Sequence, residues 1–121
     1  MRAAPLLLLP LVGLARLSLA VVACASLAVL AGCGGGSRPT HHVVVIRGFQ
    51  FDPAALTVAI GDTIEWRNRD IFPHTSTADD GAWDSGNLPA DTAWSTVIAR
   101  PGAHAYHCSY HPNMKAQLDA R

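Results

Sequence analysis

Residues 106–114 read Tyr106-His107-Cys108-Ser109-Tyr110-His111-Pro112-Asn113-Met114. The stretch offers a thiol, an imidazole three positions on and a thioether three beyond that. A further imidazole, His74 after Pro73, stands 34 residues before Cys108. A thiolate and two imidazoles suit copper in a roughly trigonal plane, and a thioether serves as a long, weak axial donor that tunes the reduction potential. Three donors on one short loop let the chain wrap an ion, but His74 must arrive from elsewhere. That requirement points to a folded β scaffold.

The rest of the chain supplies the strands. Residues 42–46 are rich in β-branched side chains and read as a first strand, after which Gly48-Phe49-Gln50-Phe51-Asp52-Pro53 turns the chain with both aromatics expected inward. Leu56, Val58 and Ile60 alternate with Thr57 and Ala59 as far as Gly61-Asp62. Ile64, Trp66 and Asn68 continue the period of two, and Thr92, Trp94, Thr96 and Ile98 repeat it before Arg100-Pro101-Gly102. Residues 75–90 are polar and read as a long loop with a short strand; residues 115–121 supply a last one. No helical stripe occurs. The expectation is an all-β chain, an antiparallel Greek-key β-sandwich or barrel of about seven to eight strands. Trp66 and Trp94 read as core fillers and Trp83 as surface cover.

Residues 1–32 read as an export signal: Arg2 and Arg16 are followed by a 15-residue apolar run, 17–31, broken only by Ser18 and Ser26. The run is short for a membrane span. It ends in Leu30-Ala31-Gly32-Cys33, which resembles the lipobox of bacterial lipoproteins, where the Cys is lipidated and becomes the mature N-terminus. An ordinary secretory signal and an uncleaved anchor are the alternatives; all three export residue 34 onward. Residues 33–40 then form a lipidated Cys and flexible tether, and 41–121 the folded domain. Under this division Cys24 is removed and Cys33 modified, so Cys108 remains alone in the domain. A lone thiol in an oxidising compartment is explained by metal ligation. Removal of Arg2 and Arg16 leaves seven basic against nine acidic residues, a balance that gives no support for nucleic-acid binding.

Taken in order, Phe49-Gln50-Phe51-Asp52-Pro53, Leu56-Thr57-Val58, Gly61-Asp62-Thr63-Ile64-Glu65-Trp66-Arg67-Asn68, Pro73-His74, Asp84-Ser85-Gly86 and Tyr106-His107-Cys108 with His111-Pro112-Asn113-Met114 resemble the cupredoxins, most closely small amicyanin-like and plastocyanin-like bacterial members. The resemblance implies one copper ion held by His74, Cys108, His111 and axial Met114, cycling between Cu(I) and Cu(II) to carry single electrons. It implies an electron carrier rather than an enzyme. It also implies that His111 presents its ring edge to a small apolar docking patch of Pro73, Tyr110 and Pro112. Together with the lipobox, it suggests a monomer at the outer, extracytoplasmic face of a bacterial membrane, exchanging electrons with a redox donor and acceptor that are membrane-associated. A copper storage or delivery protein for a membrane oxidase is the rival reading. A multicopper-enzyme fragment lacks the additional histidines such centres require.

Two positions depart from the family pattern. Tyr110 stands where many relatives carry Pro, returning a backbone N–H expected near the thiolate. His104 stands where an aromatic is usual and has to find a polar partner or solvent. His107 adjoins Cys108 and faces the opposite side of the strand, so it is not expected to ligate the same ion. His41 and His42 read as solvated, and Asp79, Asp80 and Asp84 as a solvated loop rather than a calcium site.

Overall fold

The computed structural model describes residues 36–121, of which 37–121 form one compact unit. The signal at 1–32, Cys24, Cys33 and the start of the tether lie outside the described residues.

Among the described residues, eight strands form two four-stranded sheets: β1 (His41–Arg47), β2 (Gln50–Asp52), β3 (Ala55–Val58), β4 (Thr63–Asn68), β5 (Thr77–Ala78), β6 (Ala93–Val97), β7 (Gly102–His107) and β8 (Lys115–Ala120). One sheet runs β2-β1-β4-β6 and the other β3-β8-β7-β5. The all-β sandwich matches the sequence expectation. Pairing is mixed rather than wholly antiparallel, because β1 lies parallel to β4 and β3 parallel to β8. Periodicity reports which face of a strand is buried, whereas strand direction depends on which partner it meets.

Alternation builds the core. Ile64, Trp66 and Asn68 of β4 turn inward, as do His104 and Tyr106 of β7 with Cys108 just beyond it. They meet Val44, Ile46, Phe51, Val58, Leu88, Ile98 and Leu118. Each large apolar side chain so buried contributes about 1.5–3 kcal/mol relative to exposure. Ile60 falls outside this pattern, because β3 ends at Val58 and the chain turns toward Asp62, leaving Ile60 exposed. Trp83 corrects the sequence reading more strongly. It is buried, packs its ring 5.5 Å from those of Trp66 (tilted) and Tyr106 (edge-to-face), and donates its indole N–H to Ser76 Oγ at 2.9 Å. A polar loop hid it, since one aromatic without a period carries no facing information.

The two poles differ. At one, Thr63 bonds to Thr40, Gly61 to Ile98 and Ile60 to Arg121, so the chain enters the domain there. At the other, the 48–49 turn and the loops 69–76 and 108–114 converge. Gly48 (φ 60°) and Phe49 (φ 58°) form a two-residue hairpin turn between β1 and β2, with Arg47 opposite Gln50. Glycine adopts this conformation freely, but Phe49 does so at a cost on the order of 1–3 kcal/mol.

Candidate metal centre

Cys108 is the first residue past β7 on that strand's inward face and is fully buried. From it the chain folds tightly: His111 N–H donates to Cys108 O (3.2 Å), Met114 N–H to His111 O (2.8 Å), and Cys108 N–H to Met114 O (3.1 Å). These bonds leave His111 half-buried and Met114 buried at the same pole. His74 comes from the 69–74 loop, fixed by reciprocal backbone bonds with Leu88 at 3.1 and 2.8 Å. Asn68, fully buried at the end of β4, staples this loop. Its Nδ2 donates to Phe72 O (2.7 Å) and Leu88 O (3.0 Å), and its Oδ1 accepts from Asp70 N–H (2.9 Å).

The loops bring three of the four sequence-predicted ligands together. Nδ1 of His74 lies 3.7 Å and Nδ1 of His111 3.6 Å from Cys108 Sγ, and the three donor atoms lie within 4.8 Å of one another. With bonds of about 2.05 Å to nitrogen and 2.3 Å to sulfur, typical of zinc, an ion in a trigonal plane sets each sulfur–nitrogen pair about 3.8 Å apart. The observed spacings therefore accommodate a first-row metal ion with small adjustment, and the soft sulfur and neutral imidazoles favour copper.

Electrostatics keep the imidazole nitrogen available. Burial is the main cause that lowers the His74 pKa below its usual value, outweighing the opposing pull of Asp70 and favouring the neutral ring. Asp70 accepts from His74 Nε2 at 2.9 Å, from Gly48 N–H at 2.6 Å and from Phe49 N–H at 3.0 Å. Partial burial works to raise its carboxyl, but the Phe49 and Gly48 amides and the His74 ring prevail and hold it below the usual carboxylate value. An ionised carboxylate only accepts, so Nε2 carries the proton and Nδ1 offers its lone pair to Cys108's side.

The donor to sulfur differs from the one expected. Thr75 N–H, directly after His74, points at Cys108 Sγ across 3.3 Å, while its Oγ1 accepts from Ser109 N–H at 2.8 Å. The Tyr110 N–H makes no hydrogen bond to that sulfur among the described residues, and the Tyr110 side chain turns outward, its hydroxyl donating to Asn87 Oδ1 at 3.1 Å. Tyr110, Pro112 and Phe49 gather at the half-buried His111, Phe72 packs against Phe49 (5.4 Å between ring centroids), and Pro73 and Ile71 (84% exposed) lie exposed on the 69–74 loop. Phe49 was expected inward with Phe51. Only Phe51 is buried; the strained turn carries Phe49 over the pole, its ring edge-on to His74 (5.5 Å) and His111 (5.0 Å). Asn68, Asp70, Phe49 and Thr75 are thus site residues that sequence reasoning did not single out for a role; the Asn68–Asp70–His74 spacing was the available signal.

The other histidines have partners. His104 is buried, with Nδ1 2.6 Å from Asp80 Oδ2 and Nε2 2.9 Å from Arg100 O. His107 Nδ1 lies 2.6 Å from Asp79 Oδ1. Asp79 and Asp80 are therefore structural partners of β7, not a merely solvated patch. His41 and His42 contact Glu65 (3.1 Å) and Asp62 (2.9 Å).

No family model matches the chain. It is 28% identical to an amicyanin of Paracoccus denitrificans over 81 residues, 63% of this chain and 62% of that one. It is 31% identical to a chloroplastic plastocyanin of Oryza sativa subsp. indica over 106 residues, 76% of this chain and 66% of the relative. The chain thus spans less than two thirds of the length of the curated relatives it matches. A solved structure of an amicyanin variant in its Cu(I) state superposes with a TM-score of 0.63 at 26% identity, covering 67% of this chain and 82% of the other. With two mixed four-stranded sheets closed over a thiol and two imidazoles, and with these likenesses in both sequence and structure, the chain belongs to the cupredoxins.

Proposed function

We propose that this protein binds one copper ion as a type 1 centre and carries single electrons between redox partners. The carrying observation is the Cys108, His74 and His111 cluster, preformed at spacings that suit a trigonal ion. His74 and His111 would bind through Nδ1 and Cys108 through Sγ, with Met114, buried at the same pole, as the axial donor. When bound, copper supplies the one-electron couple. The chain's part is to hold the donors in one arrangement and exclude water from Cys108 and His74, both fully buried, so little rearrangement accompanies the change of charge. A site this enclosed suits retained copper better than rapid delivery, which favours the carrier over a storage or delivery protein.

Pro73, Tyr110 and Pro112, beside half-buried His111, are the docking patch of this reading. A small apolar surface fits brief contacts that separate after each transfer. Lipidation of Cys33 would tether a monomer to the outer face of a bacterial membrane, periplasmic or extracytoplasmic. A seven-residue tether, 34–40, spans about 15 Å and joins the domain at the pole opposite Cys108, which favours membrane-associated donors and acceptors whose sites reach beyond the membrane surface. Membrane fractionation tests the anchor: Cys33→Ala should release the protein, and undiminished attachment refutes lipidation.

Optical and EPR spectra of the Cu(II)-loaded protein test the centre. An intense blue band and narrow copper hyperfine splitting are expected, both lost in Cys108→Ser. A colourless Cu(II) protein, or a blue Cys108→Ser variant, overturns the reading.

A further inference from the structure

Asp70 is engaged on two sides at once. One carboxylate accepts the His74 Nε2–H at 2.9 Å and the consecutive amides of Gly48 (2.6 Å) and Phe49 (3.0 Å), on a hairpin turn about twenty residues earlier. Asp70 itself is placed by its own N–H on Asn68 Oδ1, so its origin is anchored in the buried end of β4. Phe49 is the unusual member. A bulky L-residue at φ 58° normally gives way to glycine or asparagine, and such outliers persist where surrounding contacts over-determine them. Here the contacts are the Asp70 carboxylate on the turn's backbone and the Phe49 ring against His74, His111 and Phe72, at centroid distances of 5.5, 5.0 and 5.4 Å.

We propose that Asp70 is the positioning residue of the metal centre: its carboxylate locks His74 with Nδ1 facing Cys108 and, through the Gly48–Phe49 turn, seats Phe49 as a cover across both imidazoles. The inference rests on the copper-centre reading. It adds a role for one carboxylate that links a ligand to the lid over it. With His74 held by Asp70 and its backbone by Leu88, the ring cannot turn without breaking a charged hydrogen bond. The negative charge one imidazole away from the ion also favours Cu(II) over Cu(I).

The test uses the full-length chain uniformly labelled with 15N, so that the His74 ring nitrogens and the Gly48 and Phe49 amides are read in one sample. In the metal-free wild type, long-range proton–nitrogen correlation should show His74 as a single Nε2–H tautomer. Asp70→Ala should give a mixture of tautomers and move the Gly48 and Phe49 amide protons upfield. Asp70→Asn, isosteric and able to accept fewer of these bonds, keeps the question open to experiment should the alanine variant fold poorly. Once loaded it should stay blue with a raised reduction potential. A single unmoved Nε2–H form and unmoved turn amides in folded Asp70→Ala overturn the proposal, as does an unshifted potential in Asp70→Asn. A wild type that gives no blue Cu(II) species defeats the copper reading instead, and the metal-free His74 spectrum still decides what Asp70 does.

Discussion

Thr75 N–H lies 3.3 Å from Cys108 Sγ, so the residue that follows one candidate ligand donates to the sulfur of another. A donor on the thiolate withdraws electron density from it and thereby favours Cu(I). Thr75→Pro removes the N–H, whereas Thr75→Ala keeps it. A typical hydrogen bond is worth about 0.5–1.5 kcal/mol net, a lower bound for one to a thiolate, and one tenfold step in a one-electron couple is about 59 mV. The proline variant should therefore sit lower in potential than the alanine variant by tens of millivolts. Voltammetry of the two loaded proteins makes the comparison, and equal values would remove Thr75 from the sulfur's surroundings.

Charge at the proposed docking patch should separate transfer from binding of the metal. Pro112→Glu is expected to leave the blue spectrum nearly intact while slowing bimolecular electron transfer to the physiological partner by about an order of magnitude, through burial of an unpaired charge at the contact. Val97→Glu, exposed at the far pole, carries the same charge as a control. Stopped-flow rates at high salt decide the matter, since long-range steering is then screened. Equal slowing by both variants would place the exit route elsewhere. Neutralising Asp79 or Asp80 is a poor substitute, because those carboxylates hold His107 and His104.

Trp83 should prove one of the most sensitive core positions. Trp83→Ala removes the ring between Trp66, Tyr106 and His104 and leaves Ser76 without its indole donor. Losses of about 3–5 kcal/mol are typical of such truncations. For a domain of this size that lowers the melting temperature by about 15 °C or more, as calorimetry would show. Trp83→Phe, which keeps most of the packing, should cost clearly less.

Acid should act at the pole where the chain enters. Asp62 accepts from Thr40 N–H (2.7 Å), Ala59 N–H (2.9 Å) and His42 Nε2 (2.9 Å), and these bonds pull its carboxyl from 3.8 down to about 2. The folded-state value is the lower one, so the stability it contributes is present above about pH 4 and is lost as pH falls through about 2. Asp62→Asn should accordingly unfold more easily than wild type at pH 7, with the gap closing between pH 4 and pH 2. A gap that does not change with pH would show that the carboxylate charge is immaterial there.

The order of Cys108, His111 and Met114 on one loop was legible because residues three apart need only local chain to come together, and local spacing is what a sequence records. Strand identity was legible for the same reason: Ile64, Trp66 and Asn68 betray a buried face by their period alone. The fold class followed from these two readings. What the chain's order could not express was who meets whom across the sheets. The parallel pairing of β1 with β4, the burial of Trp83, the engagement of Asp79 and Asp80 by β7, and the Thr75 amide on sulfur all join segments far apart in the chain. Asp70 shows the division within one residue. Its spacing of four from His74 is written in the sequence, but its hold on Gly48 and Phe49, and hence the ring laid across both imidazoles, exists only once β1 and β4 lie side by side. Hydrogen-bond reach is set by distance in space, and only the packed sheets bring those atoms within it.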